Sequence, residues 1–161
     1  MNREEYNRAV ERFSDDVYRF IYKMCRSREM AEDVVQDSYL RLWETLSSVS
    51  FEKVKAFLFT VAYRRAVDIL RREKRFKEVE SLEAHGGTDS TRGTGLQEAL
   101  ETALERLPAV QRTVVLLRDY EEYSYKEIAA ITGLGEAQVK VYIFRARVAM
   151  RAFLGSPDKV I

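Results

Sequence analysis

The chain has 161 residues, of which 46% are hydrophobic and 33% charged, with a formal net charge of +1. That apolar share excludes global disorder, and the length allows one domain or two small ones. A single cysteine, Cys25, and a single histidine, His85, exclude an internal disulfide and a clustered metal centre. No apolar run approaches membrane-spanning length, and the N-terminal MNREEYNRAVERF lacks a signal-peptide core. The expectation is a cytoplasmic protein with no direct membrane insertion. Apolar residues recur at spacings of three and four and seldom alternate with polar ones, which predicts an all-α fold.

In chain order, a helix over about Arg3 to Cys25 carries Tyr6, Val10, Phe13, Val17, Phe20, Ile21 and Met24 as its buried stripe. A second helix, from about Glu29 to Leu46, is expected to bury Met30, Val34, Val35, Tyr39, Leu40, Trp43 and Leu46. Its other face displays Asp33, Gln36, Asp37, Arg41 and Glu44, aligned by helical spacing. Ser47 to Glu52, SSVSFE, interrupts the pattern with three serines. A third helix, from about Lys53 to Lys77, buries Val54, Phe57, Leu58, Val61, Ala62, Ile69 and Phe76, with Arg64, Asp68, Arg71, Arg72 and Arg75 along one flank. Residues 53–77 hold nine Lys/Arg against two acids. Screening confines electrostatics to about 8–10 Å, so a partner meets this basic patch and not the near-neutral total.

Glu80 to Gly95, ESLEAHGGTDSTRGTG, has four glycines, scattered Ser and Thr and no aromatic residue, the composition of a flexible linker. It predicts two small helical domains, 1–77 and 96–161, joined by a linker over 78–95. His85 sits inside that linker with no histidine or cysteine near it, so neither a metal nor a catalytic role is expected for it.

In the second half Leu96, Ala99, Leu100, Ala103, Leu104 and Leu107 form one stripe. Pro108 then suits the first position of a helix carrying Val110, Val114, Val115 and Leu117. Tyr123 to Arg147, YSYKEIAAITGLGEAQVKVYIFRAR, reads as a helix-turn-helix. Ser124 and Glu127 form a capping box, Tyr123 and Ile128 a hydrophobic staple, and Gly133 is placed for the left-handed residue that ends the short helix. Val139, Ile143, Ala146, Met150 and Phe153 are the buried line of the following helix. Between Ala137 and Arg151 there is no acid, and Lys140, Arg145, Arg147 and Arg151 supply four positive charges.

Lys and Arg neutralise phosphates without reading sequence, and exposed aromatic rings stack on unpaired bases. Two such modules on a tether raise one another's effective concentration at a composite site. Taken alone, these features also fit a dimeric helix-turn-helix regulator on duplex DNA, or a helical protein whose basic surfaces meet an acidic partner. There is no phosphate-binding loop and no metal-ligand spacing. No enzyme activity, catalytic residue, cofactor or small-molecule substrate is expected.

Read together and in order, the segments resemble the extracytoplasmic-function sigma factors, two-domain specificity subunits of bacterial RNA polymerase. AEDVVQDSYLRLWE (Ala31 to Glu44) is similar to the helix with which their first domain grips the polymerase clamp, and KAFLFTVAYRRAVDILRREKR (Lys55 to Arg75) to their −10 element helix. LERLPAVQRTVVLLRDYEEYSYKEIAAITGLGEAQVKVYIFRAR (Leu104 to Arg147) is similar to the domain that reads the −35 element. The resemblance implies that Asp33, Gln36, Asp37 and Arg41 dock on the clamp helices, with Trp43 buried behind them. It implies that Ser48, Ser50 and Phe51 line a pocket for a base flipped from the non-template strand. Arg64, Arg65, Arg71 and Arg72 would hold that strand near the melted region. Glu136, Gln138, Lys140, Val141 and Tyr142 would face the major groove, with Gln138 paired to adenine and Glu136 accepting from cytosine; Arg145 and Arg147 would bind phosphates. The implied partners are core RNA polymerase, through its clamp helices and flap, promoter DNA, and an anti-sigma protein. The chain departs from the family pattern in having Gly135 where a serine is frequent, Arg64 where an asparagine is frequent, and Tyr142 and Phe144 at positions commonly polar or basic.

Overall fold

The computed structural model describes residues 1–80 and 95–155, with no side-chain description for 74–80. The predicted linker, apart from its two ends, and His85 within it lie outside the described residues, as does the Phe76 side chain. Among the described residues the regular elements are all helical: α1 (Arg3–Cys25), α2 (Arg28–Glu44), α3 (Val54–Glu80), α4 (Gly95–Arg106), α5 (Ala109–Val115), α6 (Tyr125–Thr132) and α7 (Glu136–Leu154). Short 3-10 turns at Leu46–Ser48 and Phe51–Lys53 lead from α2 into α3, and a π-helical turn at Leu116–Tyr120 extends α5. Helix α3 therefore runs three residues past the predicted start of the linker.

Local chemistry sets the ends. The Asn2 side chain accepts from the Glu5 N–H while the Glu5 carboxylate accepts from the Asn2 N–H, closing a capping box at the start of α1. Ser27 caps α2 through the Met30 N–H. Ser124 and Glu127 cap α6 reciprocally, at 2.8 and 3.1 Å, and Gly133 ends that helix at φ 83°, where a Cβ would be strained.

Helices α1, α2 and α3 pack on one another, and α7 packs on α4, α5 and α6. The α2 stripe differs from the expected one. Ala31, Val34, Ser38 and Leu42 line the core, whereas Leu40 is 57% and Trp43 44% exposed. The reason is that two small residues hold core positions: the Ser38 hydroxyl donates to the Val34 carbonyl at 2.7 Å, so its burial leaves no unpaired polar group. Trp43 instead lays its ring across Tyr6 on the surface, with centroids 5.1 Å apart.

The two helical groups also pack against each other, through α3 and α6 and through α1 and α5. An aromatic row crosses the seam: Phe20 to Phe59 and Phe59 to Tyr123, each with centroids 5.3 Å apart, the second pair edge-on. Such pairs contribute about 0.5–1.5 kcal/mol each beyond the area they bury. Glu122, in the left-handed region at φ 64°, turns the chain so that Tyr123 reaches the seam. Beside the row, Arg19 forks onto Glu121 at 3.0 Å and Lys55 lies over the Tyr123 ring at 5.8 Å. Burial pushes the Glu121 carboxyl up, while Arg19 pulls it down.

Arg112 is the main polar tie. Its guanidinium donates to the carbonyls of Leu104, Glu105 and Leu107 at the end of α4, and to Met24 near the end of α1 at 2.9 Å. It thereby satisfies helix C-terminal acceptors in both groups at once. Arg112→Met keeps the stem and removes every donor, so urea unfolding should show a loss of about 2 kcal/mol. Retention of wild-type stability would remove Arg112 from this role.

Candidate promoter and polymerase interface

The exposed face of α2 carries Asp33, Gln36 and Arg41 in solvent, as the spacing predicts. Asp37 is different. Its Oδ2 accepts from Arg65 Nε at 2.8 Å, so a residue assigned to polymerase is paired with one assigned to DNA. Around this pair lies an open cleft of about 520 Å³, lined by Asp37, Leu40, Arg41 and Glu44 of α2 and by Phe57, Thr60, Val61, Arg64 and Arg65 of α3. The two faces are continuous across the α2–α3 groove. Leu40, expected in the core, is an exposed apolar residue in their midst; its flanks of Asp37, Arg41 and Glu44 were the signal for that.

Along α3, Arg64, Arg71 and Arg72 are exposed on one flank, and Arg71 Nη1 lies 3.7 Å from Asp68. Such exposed pairs are worth little, and phosphates can displace them. In the connection before α3, Ser48 and Ser50 are exposed and Phe51 is half-buried, with the Arg8 guanidinium over its ring at 5.3 Å. That contact occupies one face of the Phe51 ring. Cys25 is half-buried, and burial pushes its thiol up, so it stays protonated near neutral pH.

At the start of α7, Glu136, Gln138, Lys140 and Val141 are exposed, while Tyr142 is half-buried against the core and Phe144 is 68% exposed. The Gly135 N–H donates to Gln138 Oε1 at 2.9 Å, so this side chain caps its own helix. Its amide NH2 remains for a base, and the carbonyl keeps one of two lone pairs. Lys140 and Arg118 share the Tyr125 ring, at 5.7 and 4.7 Å, which fixes two cations beside the groove-facing turn. Arg147 forks onto Asp119 of the π-helical turn, with Nε 3.2 Å from Oδ2; Arg145 is exposed. Among the described residues no cluster of His, Cys, Asp or Glu is placed to hold a metal, and no helix is long and apolar enough to cross a membrane.

This geometry defines a helical protein with a basic helix beside one exposed acidic and apolar face, followed by a helix-turn-helix. The sigma-70 region 2 model matches residues 9–76 and the sigma-70 region 4 model matches residues 97–150. The ECF RNA polymerase sigma factor SigM of Bacillus subtilis is 30% identical over 145 residues, covering 87% of this chain and 89% of that protein. Sigma factor SigV of the same organism is 31% identical over 148 residues, covering 89% and 87%. In fold, the chain matches the sigma factor RpoE of Bartonella quintana with a TM-score of 0.78 at 24% identity over 95% of this chain and 98% of that one. It matches CnrH with a TM-score of 0.70 at 23% identity, over 96% and 90%.

The chain belongs to the extracytoplasmic-function sigma factors of the sigma-70 family. It is a transcription initiation factor, not an enzyme: it binds core RNA polymerase and directs it to promoters.

Proposed function

We propose that residues 1–77 form the polymerase-binding and −10 module, residues 96–161 the −35 module, and residues 78–95 the tether between them. Asp33, Gln36, Asp37 and Arg41 dock on the clamp helices, with Leu40 adding an apolar contact, and the C-terminal module meets the flap. Arg64, Arg65, Arg71 and Arg72 hold the opened strand, whose flipped base is received by Ser48, Ser50 and Phe51. Glu136, Gln138, Lys140, Val141 and Tyr142 read the upstream element, and Arg145 and Arg147 bind its phosphates, the latter in competition with Asp119. The observation that carries this reading is the continuous α2–α3 groove, where the acidic face and the basic flank meet at the Asp37–Arg65 pair. The protein acts in the cytoplasm, where its polymerase is.

RpoE was solved with the anti-sigma factor NepR, and CnrH with the cytosolic domain of CnrY. We extend that mode of control to this chain: a protein partner withholds it from polymerase until released. In vitro transcription with purified core polymerase and a promoter library tests the main reading. Promoter-specific starts that depend on this protein are expected, and their absence would overturn it.

Gln138 offers a finer test. Gln138→Glu keeps the oxygen that caps Gly135 but replaces the base-facing donor by an acceptor. Helix stability should hold, while preference at one upstream position shifts roughly tenfold towards a base presenting a donor, such as cytosine. An unchanged preference in the same promoter library would exclude Gln138 from base contact.

A further inference from the structure

The connection between α2 and α3 holds its polar residues outward for a local reason. Val49 is extended and only 9% exposed, so its neighbours Ser48 and Ser50 turn the other way, into solvent. Phe51 follows at the head of a 3-10 turn, half-buried against the core. Helix α1 packs on that turn. The chain just before α1 is tied to the same connection: the Met1 amine donates to the Leu46 and Val49 carbonyls at 2.9 and 3.0 Å. The connection therefore does not stand alone, because the start of α1 walls it on one side.

Arg8 is the residue of that wall with a choice of partners. Glu4, Glu5 and Glu11 stand at helical neighbour spacings from it, and Glu4 four residues earlier is in the favourable order for an ion pair. Glu5 is held by the Asn2 N–H. Among the described residues no carboxylate pairs with Arg8. Its exposed guanidinium lies instead over the Phe51 ring, 5.3 Å from the centroid. A planar cation in that place restrains the ring and closes one of its faces, so a base stacks on the opposite face alone. A platform that is already fixed loses less freedom when the base arrives.

We propose that Arg8 is a positioning residue for the base pocket: it holds Phe51 ready to stack on the flipped base, and α1 supplies the pocket's third side. This rests on reading Ser48, Ser50 and Phe51 as that pocket, and it adds a residue from outside the connection.

The test uses the full chain assembled with purified core polymerase. The probe is a fork-junction DNA built from a promoter selected in the library experiment, with the non-template −10 strand left single. Each −10 nucleotide is replaced in turn by an abasic one, and fluorescence anisotropy reads the loss of affinity. In wild type, loss of the flipped base should cost about tenfold, the worth of one stacked base. Phe51→Leu should shrink that loss. Arg8→Ala should shrink it about two- to fivefold, the worth of an exposed cation over a ring, and leave affinity for the abasic probe unchanged. Arg8→Lys keeps a cation over the ring and should restore most of the effect. In a Phe51→Leu background Arg8→Ala should add nothing, because it acts through that ring. Arg12→Ala removes an exposed guanidinium one turn on, over Phe13, and should behave as wild type. The arginine variants alter exposed side chains, and circular dichroism confirms that they fold.

An unchanged abasic loss in Arg8→Ala overturns the proposal. So does an enlarged loss, which would make Arg8 a plug in the pocket. Equal weakening of intact and abasic probes overturns it too, since Arg8 would then hold a phosphate. Failure of the pocket reading looks different: no nucleotide stands out in wild type, or Phe51→Leu leaves the loss whole. If no promoter is selected at all, the sigma reading falls and this proposal with it.

Discussion

Joining residues 19 and 121 by a short bismaleimide is expected to abolish promoter-directed transcription. The sites would be created as Arg19→Cys and Glu121→Cys in a Cys25→Ser background, so that only they react. In the structure Arg19 and Glu121 are in direct contact across the seam between the two helical groups, with the Glu121 side chain only 3% exposed. The elements named −10 and −35 lie about 25 base pairs apart, roughly 85 Å of duplex at 3.4 Å per step. Modules in contact cannot reach both. Residues 81–94, 14 in number, extend to at most about 50 Å at 3.3–3.6 Å per residue, which with the widths of the two modules suffices once they separate. Avidity from two linked modules is worth about 100-fold or more and vanishes when geometry forbids simultaneous engagement. Run-off transcripts should therefore fall by about that factor after cross-linking and persist in the unlinked double variant. Core binding should survive, because the α2 face is exposed in the packed arrangement. Full transcription from the cross-linked protein would show that the seam need not open. The seam is also pH-sensitive in a defined direction: burial raises the Glu121 carboxyl, so the packed state binds that proton more tightly. Its contribution is fully present below the ordinary carboxylate range and declines as pH rises through the raised value.

What the sequence disclosed follows from the range of the interactions involved. The capping box at Ser124 and Glu127, the left-handed Gly133 and the exposed Asp33, Gln36 and Arg41 depend on residues within one or two turns, and all were legible. The α2 stripe was misread because bulky Leu40 and Trp43 outweigh Ala31 and Ser38 in any apolar count, although the small residues fit the close approach of α1 and α3. Phe59 escaped notice because the ring that covers it, Tyr123, belongs to the other half of the chain. The pairs Asp37–Arg65 and Asp119–Arg147 each join residues 28 apart, and Arg19–Glu121 residues 102 apart. No periodicity announces a partner at such separations. The candidate site was thus visible as a set of residues, while its internal wiring was not.

That wiring decides how the polymerase face should be tested. Reversing both Asp33 and Asp37 to lysine should weaken core binding roughly 100-fold, since each turns a carboxylate of the proposed docking face into a cation. Yet Asp37→Lys also confronts Arg65 with a cation, so a loss could come from disturbing α3. A charge swap separates the two causes. Asp37→Arg with Arg65→Asp rebuilds an ion pair across the α2–α3 groove, and the exposure of both partners, 42% and 37%, limits any stability change to within about 1 kcal/mol. If Asp37 itself meets the polymerase, the swapped protein should have near-wild-type urea stability and still bind core about tenfold more weakly. If Asp37 serves only to hold Arg65, the swap should restore core binding along with stability, and the polymerase contact then rests on Asp33, Gln36, Leu40 and Arg41. Binding measured by fluorescence titration of labelled protein against core, beside the unfolding curves, distinguishes them. A strand-opening assay adds the other half: the carboxylate introduced by Arg65→Asp would repel the phosphates that Arg65 attracts. Promoter melting should therefore fall in the swapped protein even where core binding is intact. Melting that is unaffected would release Arg65 from the DNA and leave the basic flank to Arg64, Arg71 and Arg72.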